Sequence, residues 1–162
     1  MSDPPNPALP GRRAPAWLKL MNLINRPLLR RGIGPAPQHL LSLRGRNSGI
    51  PRATPVAVLE FRGDRFVVAG YSGADWVKNA RLAGSAELRR GREHQRVLLE
   101  EVPVSQRPPI LREFALKVRG GRSFMTFRAD SSDQELAQSS PEHPIFRLRV
   151  DPGEGPTTAV SG

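Results

Sequence analysis

At 162 residues and 17.8 kDa, the chain suits one domain that buries about 70% of its unfolded surface, and with 38% apolar and 25% charged residues it is no wholly disordered chain. It has no cysteine, which excludes disulfides, cysteine-bound zinc, iron–sulfur centres and a thiol nucleophile. Lys and Arg number 25 against 15 Asp and Glu, a net charge of +10, and a field of that sign favours polyanions and acidic small molecules as ligands without choosing among them.

Residues 1–14 hold Pro4, Pro5, Pro7, Pro10 and Gly11 and are expected as a disordered leader. From Pro15 the spacing of Trp17, Met21, Ile24 and Leu28 places them on one helical face and predicts a helix over 15–31. The polar residues Lys19, Asn22, Asn25 and Arg26 interrupt the apolar core that an export signal behind Arg12-Arg13 needs. No apolar run approaches the ~18 residues of a membrane-crossing helix. Pro35 and Pro37 enforce extended chain before a short strand at 39–43.

Residues 45–52 (GRNSGIPR) read as a loop, and 54–61 as a buried strand. Arg62-Gly63-Asp64 is a tight turn into a hairpin partner at 65–70. Residues 75–82 have helix composition with an acidic residue in the first turn. Strands are expected at 86–90 and 95–102, around Gly91. Pro108-Pro109 opens a helix to about 118, with Ile110, Leu111, Phe114 and Val118 on one face. Residues 129–141 are polar and read as a surface loop, 144–150 alternates as a half-buried strand, and 151–162 reads as a flexible tail. Short strands with a hairpin and interspersed helices argue for an antiparallel barrel or α+β layer within a domain over 15–150.

The chain lacks a Walker loop, a GxGxxG turn and a GxSxG elbow, and His39, His94 and His143 stand apart from one another without metal-ligand spacing. Two clusters remain. In the first, the glycines of GRNSGIPR let backbone amides converge, Ser48 offers a hydroxyl, and Arg44, Arg46 and Arg52 can fork onto phosphate or carboxylate oxygens. An arginine-decorated hairpin loop would have the same composition. The second, Gly70-Tyr71-Ser72-Gly73-Ala74-Asp75-Trp76 with Asn79, ends a strand and opens a helix, where free amides and an aromatic wall can meet an anion or a ring carbonyl. Its plainer reading is a turn with Trp76 in the core.

Taken in order, the amphipathic helix, GRNSGIPRATPV, RFVVAGYSG, DWVKNARLAG, GSAELRRG and HPIFRLRV resemble the deazaflavin (F420)-dependent nitroreductase and quinone reductase family of flavin-reductase-like split β-barrels. The resemblance covers about residues 15–150. It implies an α+β, mainly antiparallel fold: a barrel of about six strands with an N-terminal helix and two or three further helices. It also implies coenzyme F420, whose phosphate side would be held by Arg46, Asn47, Ser48, Gly49, Arg52, Thr54 and Pro55. Gly70, Tyr71, Ser72 and Gly73 would line the deazaflavin ring, with Trp76 and Asn79 supporting that loop and the pocket wall. Asn47 stands where the family usually carries Lys or Arg, which removes one phosphate charge, and the 72–76 loop is the family's shorter variant. The implied reaction is hydride transfer from the reduced deazaflavin to a quinone, nitroaromatic or activated C=C acceptor, with Tyr71 as a candidate proton donor. FMN is the alternative cofactor.

Two readings from other classes compete. A non-catalytic nucleic-acid binder would use the arginine surface, but aromatics are only 6% and no stacking pair or helix-turn-helix pattern is present, so no specific nucleic acid is expected. The 15–31 helix could instead lie at a lipid headgroup boundary through its Trp17 face, beside Arg26, Arg30 and Arg31. The expected location is cytoplasmic, with membrane association through that helix as the alternative.

Overall fold

The computed structural model describes residues 38–118 and 125–153. The expected leader, the 15–31 helix and the tail beyond residue 153 lie outside the described residues. Six strands, β1 (Gln38–Arg44), β2 (Pro51–Phe61), β3 (Asp64–Val68), β4 (Ser85–Arg90), β5 (Glu93–Glu101) and β6 (Ile145–Val150), form a closed barrel in the order β1-β2-β3-β6-β5-β4. Every pairing is antiparallel. Closure falls to β1, which pairs with β2 from Gln38↔Ala57 to Arg44↔Pro51 and with β4 from Leu40↔Arg89 to Ser42↔Glu87. The expected α+β, six-stranded barrel is therefore the observed one. Strand β2 starts three residues earlier than the pattern indicated, because Pro51-Arg52-Ala53 continue its ladder with β1.

Alternation divides the apolar residues into two cores. Leu41, Leu43, Val56, Val58, Val67, Ala69, Leu88, Val97, Phe146 and Leu148 fill the barrel. Leu59, Phe66 and Ile145, on the outer faces of their strands, pack with α2 (Pro108–Lys117) and α3 (Asp133–Ser139). The β2–β3 hairpin turns on Arg62 (φ 52°) and Gly63 (φ 81°), two successive positive-φ residues whose twist matches that of the strands they join. Helix α1 (Asp75–Ala83) follows β3 and ends at Gly84, φ 66°, whose N–H bonds the Ala80 carbonyl.

The expected loop at 129–141 is corrected: it contains α3. Ser132 Oγ accepts the Glu135 N–H at 3.2 Å while the Glu135 carboxylate accepts the Ser132 N–H at 2.7 Å, a reciprocal cap that Ser132-Asp133-Gln134-Glu135 carries in its spacing. Leu136 is the apolar contact that anchors this polar helix to the outer core.

His143 is fully buried ahead of β6. Its Nδ1 lies 3.0 Å from the Ala69 carbonyl and its Nε2 lies 2.8 Å from Thr126 Oγ1, with the Thr126 N–H also pointing at Nε2 at 3.4 Å. Nδ1 therefore carries the proton and Nε2 accepts. Phe127 meets the ring edge-on at 5.0 Å. Burial holds the imidazole below its ordinary range, outweighing the Ala69 hydrogen bond and the Glu142 charge, which act the other way. The Ala69 N–H also bonds the Pro144 carbonyl at 2.8 Å, so the chain leaving β3 is held at two successive peptide units.

Two outcomes follow. Ser132→Ala should cost about 1 kcal/mol, read in thermal unfolding, because the Glu135 amide at the helix end loses its side-chain partner. Folded His143 stays neutral while the unfolded chain takes up a proton near pH 6.5, so the unfolded state binds more protons and stability falls as pH drops below about 6.5. The carboxylates held low by arginine, Glu100 and Glu101, lose their contribution only further down, below their ordinary 4.5. Urea midpoints between pH 7.5 and 5 should therefore decline in the wild type and decline less in His143→Gln.

Candidate functional site

The two segments singled out in the sequence meet at one end of the barrel. The β1–β2 loop closes on itself: Gly45 N–H donates to the Ile50 carbonyl at 2.9 Å and Gly49 N–H to the Gly45 carbonyl at 2.8 Å. Gly45 is required by close approach, since a Cβ there would lie 2.9 Å from Ser48 Oγ. Ser48 Oγ accepts the Ile50 N–H at 3.3 Å and keeps its own hydrogen to donate.

Asn79 joins this loop to α1. Its buried Oδ1 accepts the Arg46 N–H at 3.2 Å and Arg46 Nη1 at 3.2 Å, and Arg46 Nη2 reaches Asp75 at 3.3 Å. Arg46 is thus engaged with the helix. The guanidiniums left open are those of Arg44 and Arg52, both exposed, with no hydrogen bond or ion pair to the described residues; Arg52 shares the Leu43 and Thr54 face of the sheet, whereas Arg44 is on the opposite face with Leu40 and Pro55. Asn47 is exposed beside them.

Helix α1 has no side-chain cap at Ala74. The Ala74 N–H bonds the Tyr71 carbonyl at 3.4 Å, and the Val77 N–H bonds the Ala74 carbonyl at 3.1 Å. The Asp75 and Trp76 amides precede the first helical acceptor and remain open, at the positive end of the helix dipole. Tyr71 and Trp76 are half-buried against the barrel core, with the Trp76 ring tilted 57° on Phe146 at a 5.7 Å centroid distance. Trp76 thus contributes both packing and a partly exposed edge.

The sequence-derived residues therefore converge, with one separation. Arg46, Asn47, Ser48 and Gly49 form the loop, Arg52 and Thr54 lie on one face of β2, and Gly70, Tyr71, Ser72 and Gly73 join β3 to α1, which carries Trp76 and Asn79. Pro55 stands on the opposite face of β2 from Arg52 and Thr54, opposite Leu40.

Sequence reasoning missed the struts behind the site. Arg81 on α1 forks onto Glu101 at 2.9 and 2.7 Å. Buried Arg107 bonds Glu101 at 3.2 Å and the Val102 and Ser140 carbonyls at 2.9 Å each. The Arg81 hydrogen bond holds the Glu101 carboxyl below its ordinary range, and burial pushes the Arg107 guanidinium down. His143, gripping Ala69 just before Gly70, is the second strut. Its sequence signal was the His-Pro pair ahead of a strongly alternating strand; Arg107 carried none.

Among the described residues no helix is long and apolar enough to cross a membrane. No curated protein matches the chain. Solved structures share its fold at low identity. An F420-H2 dependent reductase aligns at TM-score 0.51 and 18% identity, over 70% of this chain and 95% of that one. A domain-swapped dimer aligns at 0.52 and 16%, over 82% and 97%. A protein of unknown function from Agrobacterium tumefaciens aligns at 0.55 and 13% over 90% of this chain, which spans 58% of that protein's length. The model of the F420H2-dependent quinone reductase family matches residues 28–129, a stretch that takes in the Arg46 loop, Tyr71, Asn79 and the first five strands. The chain belongs to that family, and is accordingly an oxidoreductase of the F420-dependent reductase type, with F420 as its cofactor.

Proposed function

We propose that the chain passes a hydride from reduced F420 to a small acceptor, a quinone, a nitroaromatic or an activated C=C bond, with the coenzyme's phosphate held between the β1–β2 loop and the start of α1. The observation that carries this reading is the open guanidinium of Arg52, on the Thr54 face of β2, beside a loop that Asn79 fastens next to an uncapped helix end. That donor set fits a phosphate diester: the planar fork of Arg52, a free hydroxyl on Ser48 and backbone amides, with no carboxylate pairing to Arg52 among the described residues.

When bound, F420 supplies the hydride chemistry. The residues of this chain bind and orient. Arg52 attracts the anionic side, and the Arg46–Asn79 bonds keep the loop from swinging away from α1. Tyr71 and Trp76 offer the apolar surface on which a flat ring can lie, and their packing on the barrel core fixes its position. Reduction of a quinone by hydride leaves an oxyanion that takes up a proton, and the Tyr71 hydroxyl is the nearest phenolic donor in the 70–73 segment.

Titration with F420, followed by coenzyme fluorescence with FMN as comparator, should show tight F420 binding that Arg52→Ala weakens at least tenfold, about 1.4 kcal/mol, without altering thermal unfolding. Equal affinity in wild type and variant would remove Arg52 from the site. Tyr71→Phe should lower turnover with a quinone and shift its pH profile while leaving F420 affinity within about twofold; unchanged turnover and profile would rule out the phenol as donor.

A further inference from the structure

The opposite end of the barrel is built differently. Interior Leu41, Val58, Val67, Leu88 and Val97 are followed, two residues further toward that end on the same faces, by His39, Glu60, Arg65, Arg90 and Gln95. The barrel lumen thus changes from apolar to polar, and five strands contribute to the change. An open cavity of about 380 Å3 lies there, lined by His39, Glu60, Arg65 and Arg90, by the apolar side chains of Val58, Leu59 and Val118, and by Lys117.

The arginines in this cavity are not paired as those beside the helices and on β6 are. Arg107 pairs with Glu101, Arg112 with Asp133, and Arg147 with Asp64 and Glu100, while half-buried Arg89 on β4 bonds the Gly91 carbonyl. Arg65 instead gives its Nη2 to a neutral acceptor, Gln95 Oε1, at 2.6 Å. Arg90 has no hydrogen bond or ion pair with the described residues. Glu60 is directly across the ladder from Arg65 yet makes no ion pair with it, and Lys117 directs its charge to Glu113 at 3.1 Å and to the Glu60 carbonyl. Glu93, the ladder partner of Arg90, makes no ion pair with it among the described residues, and residues 31–37 and 119–124 contain Arg31, Arg119 and Arg122 and no Asp or Glu.

We infer that this end of the barrel is a second ligand site, which takes a small organic oxyanion with its phosphate or carboxylate on Arg65 and Arg90 and its apolar body on Val58, Leu59 and Val118. Two forks drawn from strands on opposite sides of the lumen suit a group with several acceptor oxygens, and partial removal from water strengthens each contact. The site is at the far end of the barrel from the β1–β2 loop and does not depend on what that loop binds.

Amide NMR of the full chain, titrated separately with phenyl phosphate and with benzoate, tests it. Saturable shifts are expected at the Arg65, Arg90 and Gln95 amides with at least one probe, and the tighter probe names the headgroup. Arg90→Gln should weaken that binding tenfold or more while leaving F420 affinity and thermal unfolding unchanged, because the Arg90 side chain makes no hydrogen bond or ion pair among the described residues. Glu60→Gln should tighten it several-fold, a gain that no loss of folding imitates. Arg52→Ala should leave these shifts in place. The inference is overturned if neither probe saturates these amides, if Arg90→Gln binds as wild type does, or if F420 displaces the probe competitively.

Discussion

Everything in this molecule depends on β1 being paired along both edges. Pairing with β2 alone would leave an open sheet with a free edge, whereas pairing with β4 as well closes the barrel and encloses the inner core. Closure also determines where the β1–β2 loop emerges. It does so beside α1, and a separation of 33 positions between Arg46 and Asn79 is bridged by one buried carboxamide oxygen. A single polar side chain thus joins two neighbouring surface features into one site.

The supports around that site divide the work by chemistry. Behind the Gly70–Gly73 segment, neutral His143 grips Ala69 and the Pro144 carbonyl takes its amide, contacts that need burial and a fixed tautomer. Behind the far half of α1, the Arg81–Glu101–Arg107 chain is ionic, and the carboxylate shared between two guanidiniums ties the helix to β5 and to the turn at Ser140. Arg107 is nearly inaccessible, so losing Glu101 would strand a buried cation, and that asymmetry makes the network costly to break. In front of both supports, the exposed guanidinium of Arg52 has no partner among the described residues. The arginine-rich composition therefore serves two purposes, bracing where carboxylates are close and reserving charge where they are absent.

The sequence made the strands and two of the helices legible because their signals are local: alternation in Pro144–Val150, Pro108-Pro109 opening α2, and a positive-φ turn at Arg62-Gly63. It obscured α3, whose apolar contribution is a single Leu136; the capping spacing of Ser132 and Glu135 was present but was outweighed by the polarity of the stretch. Site membership was legible through the ordered set of motifs, yet the division of labour was not. Arg46 and Arg52 look alike in sequence, and only the fold shows that one is held by Asn79 and Asp75 while the other is open. Likewise Pro55 belongs to the motif but faces away from Thr54, since strand periodicity splits neighbours that a motif groups together. Interactions such as Arg107 with Ser140 join positions far apart in the chain and have no local signature.

The most direct test of this account is the F420 affinity of Asn79→Leu against wild type, measured by equilibrium titration at matched ionic strength, with circular dichroism to show that the barrel is retained. The account predicts a loss of tenfold or more with the strand signal intact, because the loop and helix would separate while each kept its own donors. Unchanged affinity in a folded Asn79→Leu protein would contradict it, since the joined loop and helix would then not be what makes the site.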